Sequence, residues 1–382
     1  MRLSLAALFA AACLACLPAA RCSSPFSRPG SARLTIVAYN VKSLFDDKDD
    51  GPEFPEFSVA KGKWDAARYG LRLRNVAEAV LATAPRDAGP PGPDVLCLEE
   101  IENGRVLEAL RSGPLAAARY KYSAIAPAED GPFSVCVLSR LPILSERCLS
   151  AATPAGREGR DALELELDAE GRRLFLIACH WKSKLGGDEL TEEARREAAA
   201  LVRSRVEELV AVEPGAELLV CGDLNESPGE YEKNGRRYAT ALMPLEEAAA
   251  GGAASARPGG RSTGASAKLA AARSSIRPSR LLVASSKELA GMSGGEIVLY
   301  SPWEESGGYS FSFRGSRERI DNFLLAPGLL DGKGLSFERF SAAPAPFLVD
   351  GAGTPIAWPG SGAKGYSDHL PILLVLGYEK GS

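Results

Sequence analysis

Short apolar runs of this sequence end repeatedly beside a carboxylate, an amide or an imidazole. The chain has only two histidines, and both stand at the edges of such runs, next to carboxylates, amides or lysines. Because strand ends along one rim of a sheet come together in space, we expect these side chains to form one site. In chain order they are Asn40, Glu99, Glu100, His180, Asp223, Asn225, Asp368 and His369.

The donor types in this set indicate a particular chemistry. Hard oxygen ligands without a His/Cys cluster favour Mg²⁺, Mn²⁺ or Ca²⁺ over zinc. A histidine paired with an aspartate can act as a general base on water, while a metal and N–H donors hold the charge of a pentacovalent phosphate. Each residue alone also fits a structural role, such as a turn or a cap, so only their convergence predicts phosphoester hydrolysis.

The elements that would position these groups are strands and helices in alternation. Apolar runs such as LTIVAY (34–39), DVLCL (94–98), ELLVCG (217–222) and ILLVLG (372–377) are bounded by turn residues and are typical of buried strands. One helix is predicted to begin near Asp65, and a second has Thr191 as its N-cap with two glutamates in the first turn. The mixture predicts an α/β fold with large sheets.

Composition sets limits on the class of protein. The chain has 382 residues, 45% of them hydrophobic, and a formal net charge of -4, which excludes collagen-like and coiled-coil proteins and a globally basic surface. One segment differs: residues 248–287 contain seven Lys or Arg and no acidic residue. We interpret it as a mobile basic insertion, either a solvated loop or an arm that attracts phosphate backbones.

The first residues have the pattern of an export signal. Arg2 precedes an apolar run from Leu3 to Leu17, which is too short to remain as a membrane span. We therefore predict a signal peptide over residues 1–22, a polar tether over 23–33 and a single domain over 34–379. The protein is expected to be secreted or periplasmic, and lipid anchoring at Cys16 or Cys22 stays open.

Five of the eight cysteines lie beyond this leader. Cys97, Cys136, Cys179 and Cys221 stand inside apolar runs. An odd number of cysteines beyond the leader, four of them inside apolar runs, favours small buried core residues over a disulfide framework or a zinc site.

The motifs, taken in order, resemble those of a known superfamily. VAYN, PDVLCLEEIEN, LIACHWKSK, LLVCGDLNESP, RERIDNFLLAP and YSDHLP are similar to the endonuclease/exonuclease/phosphatase superfamily with the DNase I-like fold, most of all to its secreted bacterial nuclease-like branch. The resemblance extends from about Leu34 to Leu376, without the basic insertion and the stretch from Leu335 to Ala363. It implies a four-layer α/β/β/α sandwich of two packed mixed sheets, with the site at one rim.

The resemblance also implies a set of metal ligands. Asn40, Glu100 and Asp368 match the positions that hold the family's divalent cation, Mg²⁺ or alternatively Mn²⁺ or Ca²⁺. Glu99 stands where relatives commonly have Gln, so it either adds a carboxylate or points away.

The remaining matched positions imply catalytic roles. Asp223 and Asn225 correspond to the pair that positions water or the leaving group, and Asp321 to the acid that orients His369. Whether Asp223 or His369 activates water stays open. His180 resembles a histidine aimed at the scissile phosphate. Cys179 and the segment before Val135 depart from the family pattern, so His180 lacks the partner expected from the family unless Glu129 or Asp130 substitutes for it.

Three residues that follow His180 are candidates for substrate contact. Lys182 and Lys184 would suit substrate phosphates, and Trp181 could stack on a base. The alternative is that Trp181 fills the edge of the sandwich and that the lysines are solvated.

Three functions are compatible with these features. The first is an exported metal-dependent phosphodiesterase that hydrolyses nucleic acid by His/Asp-assisted attack of water. The second is a phospholipid or inositol-phosphate phosphoesterase of the same superfamily, and the third is a non-catalytic polyanion-binding protein. The sequence implies no protein partner.

Overall fold

The computed structural model describes residues 31–51, 53–84, 89–127, 131–150, 161–245, 280–293, 295–342, 344–360 and 364–379. The predicted signal peptide, residues 23–30 of the tether and residues 248–279 of the basic insertion lie outside these ranges, as do Glu129 and Asp130. Within the described ranges, no helix is both long and apolar enough to cross a membrane.

Seventeen strands are present in the described residues. They are β1 (Ser31–Leu44), β2 (Val95–Ile101), β3 (Tyr122–Ala126), β4 (Ser134–Ser139), β5 (Ile143–Leu149), β6 (Ala162–Asp168), β7 (Arg173–His180), β8 (Glu217–Asp223), β9 (Leu242–Pro244), β10 (Leu281–Ala284), β11 (Gly291–Ser293), β12 (Glu296–Tyr300), β13 (Phe311–Phe313), β14 (Ser316–Glu318), β15 (Asp321–Leu325), β16 (Ser336–Ser341) and β17 (Ile372–Glu379).

The described helices are fewer. They are α1 (Ala66–Thr83), α2 (Gly104–Ser112), α3 (Glu192–Val212) and two single turns, α4 (Glu230–Lys233) and α5 (Trp303–Ser306). Short 3-10 helices lie at Pro55–Phe57, Ala116–Ala118, Lys287–Leu289, Pro327–Leu329 and Pro346–Leu348.

The strands form two large mixed sheets and one small hairpin. The first sheet has the order β16-β17-β1-β2-β4-β3, and the second has the order β5-β6-β7-β8-β15-β12-β10-β9, with β11 on β12. The pairs β1/β2 and β7/β8 are parallel, whereas β1/β17 and β8/β15 are antiparallel. Strands β13 and β14 form the separate hairpin.

Alternation of side chains along the central strands builds the layers. In β1, Ile36 belongs to the apolar core between the sheets, while Val37 belongs to the core under α1 and α2. In β8, Leu219 faces the core between the sheets, and Val220 packs in the core with α3 residues. Because successive strand residues point to opposite faces, sheets covered on both faces need such continuous apolar runs. The predicted α/β/β/α four-layer sandwich is confirmed.

Both predicted helices are present, with Asp65 and Thr191 as their N-cap residues, although only Asp65 makes a side-chain capping bond. Asp65 caps α1 by accepting a hydrogen bond from the backbone N–H of Arg68 at 2.8 Å. Thr191 precedes α3 but makes no capping bond; its hydroxyl instead donates to the carbonyl oxygen of Gly187 at 2.9 Å. A threonine hydroxyl can bond a preceding carbonyl as readily as a helix N–H, and here the preceding turn provides that acceptor.

Two predicted boundaries also need correction. The tether ends earlier than expected, because residues 31–33 already belong to β1, paired with β17. The end of the predicted mobile insertion is ordered, because β10 pairs with β9 and β12. The apolar residues of β10 are buried, which explains why the strand forms inside an otherwise basic segment.

The cysteines agree with the core interpretation. Cys97, Cys136, Cys179 and Cys221 are buried free thiols, and Cys148 is exposed. The Sγ atoms of Cys97 and Cys221 lie 3.4 Å apart across the two sheets.

Candidate active site

Strand register places the predicted site residues at one rim of the sandwich. In the second sheet, Asp223 pairs with His180 on one side and with Asp321 on the other. In the first sheet, Asn40 pairs with Glu99. The Asn40 amide then bridges the two sheets, because its Nδ2 donates to Asp223 Oδ2 at 2.9 Å. Residues from five strands therefore meet at this rim.

Local breaks in the first sheet turn Glu100 toward this rim. The β1/β2 register shifts between Asn40 and Leu44, and Glu100 has a φ of 62°. Its Oε1 accepts from Asn40 Nδ2 at 3.1 Å, and its Oε2 accepts from the backbone N–H of Ser43 at 2.8 Å. Bulges commonly re-aim side chains beside active sites, and this one fixes a carboxylate next to Asn40.

His369 is held by the acid that the resemblance assigned to it. Its Nδ1 lies 2.9 Å from Asp321 Oδ2 and 3.1 Å from Asp321 Oδ1, and both side chains are buried. The other ring nitrogen, Nε2, lies 3.8 Å from Asp223 Oδ2. The carboxylate of Asp321 therefore orients the imidazole so that its free nitrogen faces Asp223.

His180 occupies the opposite side of Asp223. Its Nε2 lies 3.7 Å from Asp223 Oδ2 and 3.9 Å from Glu100 Oε1, and the ring is 2% exposed. The two histidines thus flank one carboxylate oxygen. The Phe133 ring lies 6.5 Å from the His180 ring, at a position where the sequence departs from the family pattern.

Asn225 lies two residues after Asp223, just beyond the end of β8. Its backbone N–H donates to Asp223 Oδ1 at 2.8 Å, and its Nδ2 donates to the carbonyl oxygen of Trp181 at 3.1 Å. The residue has a φ of 50°, a conformation that Asn adopts more readily than most residues. Asn225 therefore positions the Asp223 carboxylate, while its own side chain is tied to the neighbouring loop.

Burial and crowding of carboxylates set the electrostatics of this rim. Burial, together with the nearby Asp321 charge, raises the pKa of Asp223 to about 7, although His369 and Asn40 lower it. Burial lowers the pKa of His369, but Asp321 and Asp223 outweigh this effect and raise that pKa well above its usual value. Burial also raises the pKa of Glu99 well above normal.

Asp368 is paired with a residue that the sequence analysis missed. Lys42 Nζ lies 2.8 Å from Asp368 Oδ2, and Lys42 has a φ of 59° in the irregular end of β1. Burial raises the pKa of Asp368, but the His369 and Lys42 charges more than offset this and lower it. No local pattern around Lys42 marks this contact, since its partner is 326 positions away in the chain.

The proposed substrate residues are placed differently from one another. Trp181 is 2% exposed and packs in the core with α3, which agrees with the structural alternative and corrects the idea that it stacks on a base. Lys184 Nζ lies 2.7 Å from Glu230 and 3.2 Å from Glu318, so its charge is already balanced. Lys182 is partly exposed beside the site.

A buried arginine holds two of the site loops together. The guanidinium of Arg72, from α1, donates to the carbonyl oxygens of Val41, Lys42 and Tyr366 at 2.6 to 2.8 Å. These carbonyls lie next to Asn40 and close to Asp368. The sequence signal was a charged residue within the apolar face of a helix, which is unusual unless the charge is paired.

Sequence comparison now identifies the family. The profile described as the Endonuclease/Exonuclease/phosphatase family matches residues 35–241. The chain belongs to the endonuclease/exonuclease/phosphatase family. It is therefore a hydrolase of the phosphoesterase and nuclease type, and the resemblance of its motifs is confirmed. No curated protein sequence matches the chain.

The chain is also similar to several solved structures. TDP2 from Caenorhabditis elegans is 15% identical, with a TM-score of 0.49 over 90% of this chain and 74% of that chain. An endonuclease/exonuclease/phosphatase family protein from Bacteroides thetaiotaomicron is 14% identical, with a TM-score of 0.48 over 91% and 98% of the two chains. The human Nocturnin catalytic domain with bound sulfate is 14% identical, with a TM-score of 0.48 over 90% and 93%.

The residues at the rim fit the divalent cation on which this family typically depends. Five carboxyl groups crowd the site, those of Glu99, Glu100, Asp223, Asp321 and Asp368. Both oxygens of Glu99 are buried without a hydrogen-bond partner among the described residues, and Asp223, Asp321 and His369 place ligand atoms within 4.8 Å of one another. Such an excess of hard oxygen donors suits Mg²⁺ or Mn²⁺.

Proposed function

We propose that this protein is an exported, divalent-metal-dependent phosphodiesterase that hydrolyses phosphodiester bonds of nucleic acids. The observation that carries the proposal is the bridge between the sheets: Asn40 and His369 both approach Asp223 Oδ2, and Asp321 holds His369 from behind. Such a constellation positions a base, an orienting acid and oxygen ligands around one small volume.

The chain's own residues would act as follows. Asn40, Glu100 and Asp368 would hold the cation, which supplies positive charge to the phosphate when bound. Either Asp223 or His369 Nε2 would accept one proton of the water that attacks phosphorus, and the leaving oxygen would take up a proton from solvent as its bond to phosphorus breaks. His180, on the other side of Asp223, would donate to a phosphate oxygen.

Binding of the polyanion would use positively charged side chains. Lys182 is the proposed phosphate contact, and the basic insertion is the proposed electrostatic arm. Two of its seven basic residues are already paired within the described structure, Arg280 with Glu296 at 3.4 Å and Lys287 with Glu305 at 2.9 Å. The contact to phosphate backbones therefore falls on the five basic residues of 248–279.

Cleavage assays test the proposal. The purified protein without residues 1–22 is incubated with plasmid and with single-stranded oligonucleotides in Mg²⁺ or Mn²⁺, and then with EDTA. We expect metal-dependent cleavage that His369→Ala abolishes and that Asp331→Asn, in an exposed loop beyond the far end of β15, leaves intact. Cleavage that is unchanged in His369→Ala contradicts the proposal. Hydrolysis of sphingomyelin or inositol phosphates without cleavage of nucleic acid would support a phospholipid or inositol-phosphate phosphoesterase instead.

Export and the role of the basic arm have their own tests. Export predicts that the mature protein recovered outside the cytoplasm begins after residue 22, as N-terminal sequencing or intact mass measures. Deletion of 248–279, which spares β10, should weaken nucleic acid binding and flatten its salt dependence. If the salt dependence of nucleic acid binding does not change, this segment makes no contact with the substrate.

A further inference from the structure

The β13–β14 hairpin is attached directly to the catalytic histidine. Its turn residues Arg314 and Gly315 have φ values of 50° and 84°, as a two-residue turn with both central residues left-handed requires. Phe311 forms a backbone bridge with His369, and the backbone N–H of Leu370 donates to the carbonyl oxygen of Ser310 at 2.6 Å. The hairpin therefore has a fixed position beside the reacting groups.

A row of rings runs outward from His369 along this hairpin. Phe311 and Phe313 are two positions apart on one strand, so their side chains share a face. Their rings are stacked, with centroids 6.3 Å apart and an interplanar angle of 12°. The Phe311 ring also lies 4.6 Å from the His369 ring. The apolar surface thus begins at the catalytic histidine and continues to the hairpin tip.

The outer end of this row faces solvent and carries a positive charge. Phe313 is 55% exposed. Because burying an aromatic ring is favourable, a ligand that covers this ring would gain binding free energy. The Arg314 guanidinium carbon lies 5.0 Å from the centre of the Phe313 ring. A ligand that matches this end has a flat aromatic face next to a negative charge. A nucleobase attached to its phosphate has both features.

We propose that the β13–β14 hairpin is a base-stacking site for an unpaired nucleotide adjoining the scissile phosphate. The inference rests on the proposed nuclease function and specifies its substrate class as single-stranded nucleic acid or unpaired strand ends. A base inside a duplex already has neighbours on both faces, so it cannot stack on a protein ring without leaving the helix. Because the ring row starts at His369, the stacked base is the one nearest the cleaved bond.

The same exposed phenylalanine and arginine would also suit insertion into a lipid surface. Continuity of the row with His369 favours a group that belongs to the substrate, because a membrane anchor has no need to contact the catalytic imidazole. Lipid binding is therefore an outcome that the experiment has to separate from base stacking.

The experiment combines removal of the ring with removal of the base. Two single-stranded oligonucleotides are compared, identical except for one abasic residue placed next to the cleaved bond. Wild type should cleave the intact strand about 5- to 100-fold faster than the abasic strand, as expected for one stacked base. Phe313→Ala should reduce this preference to about 1- to 2-fold, mainly through KM, and Phe313→Tyr should restore it. Tyr122→Ala removes an exposed ring of β3 at the far end of the sheet and should keep the full preference.

The possible outcomes separate the two proposals. If wild type cleaves both strands with equal efficiency, or if Phe313→Ala lowers both rates by the same factor, the stacking site is wrong while the nuclease function stands. If wild type cleaves neither strand in the presence of metal, the nuclease function itself fails. If Phe313→Ala keeps the base preference but loses binding to vesicles of phosphatidylcholine and phosphatidylglycerol, the hairpin is a lipid contact, and the stacking proposal is overturned.

Discussion

Asp321→Asn is the substitution that most sharply tests how His369 works. The carboxylate lies 2.9 Å from His369 Nδ1 and is almost fully buried, so the variant keeps the side-chain volume and removes one negative charge. The amide can also donate to Nδ1, which would place the imidazole proton on Nε2, the nitrogen that faces Asp223. We expect kcat to fall by about 10²- to 10⁴-fold, the range for loss of a correctly oriented general base.

The pH dependence of the same variant has a defined sign. In the wild-type protein burial lowers the pKa of His369, but the Asp321 and Asp223 carboxylates raise it well above its usual value. The imidazole accepts a proton only when it is neutral, so wild-type activity should rise as pH passes through this raised pKa. Removing the Asp321 charge lowers the pKa, and the rising limb of kcat/KM should move to lower pH, with a lower plateau.

The assay is steady-state cleavage of a fluorescent oligonucleotide in Mg²⁺ over a range of pH values. Asp331→Asn serves as the control, because it makes the same chemical change on an exposed loop. Loss of an oriented base lowers activity by far more than threefold. If Asp321→Asn keeps activity within about threefold of wild type, the assigned role of Asp321 is therefore wrong. A rising limb that moves to higher pH would contradict the electrostatic argument even if activity falls.

Three further predictions concern single charged residues, two of them with a matched control. Burial raises the pKa of Glu99. The wild-type protein therefore loses stability as the pH rises above the pKa that Glu99 has in the unfolded chain. Glu99→Gln should increase the free energy of unfolding of the EDTA-treated protein in urea, and the increase should be larger at about pH 8 than at about pH 5. Arg195→Met leaves two buried carboxylates without their cation and should cost about 3 to 5 kcal/mol of unfolding free energy, whereas Arg196→Met, in an exposed pair, should cost about 1 kcal/mol or less. Lys182→Met should reduce the salt slope of nucleic acid binding by about one, while Lys184→Met should mainly lower stability.

The order of motifs predicted the fold and the rim because both depend on strands whose apolar runs are visible locally. Strand β8 ends at Asp223 and β15 begins at Asp321, so an antiparallel pair must bring these two carboxylates together. The sequence pattern also placed both histidines at strand edges. Nothing more than strand identity and family order was needed for this part of the site.

The rest depended on side-chain contacts between distant segments, which a single sequence does not show. Lys42 and Asp368 are 326 positions apart, and Lys184 finds its partners in α4 and β14. Trp181 follows a strand-edge histidine, as a base-stacking residue would, yet the packing of α3 over the second sheet covers its ring. Phe313 is the opposite case. Its ring is exposed, yet nothing in its local sequence distinguishes it from a core phenylalanine.

The central claim is that distant oxygens and imidazoles of one rim act together on a metal-bound phosphate, and a crystal structure with Mn²⁺ and a single-stranded oligonucleotide tests it most directly. We expect an anomalous manganese peak bonded to carboxylate oxygens beside Asn40, with the scissile phosphate between His180 and His369. A peak only at the separate acidic cluster of Asp46, Asp50 and Glu102, or a phosphate bound away from Asp223, would contradict it.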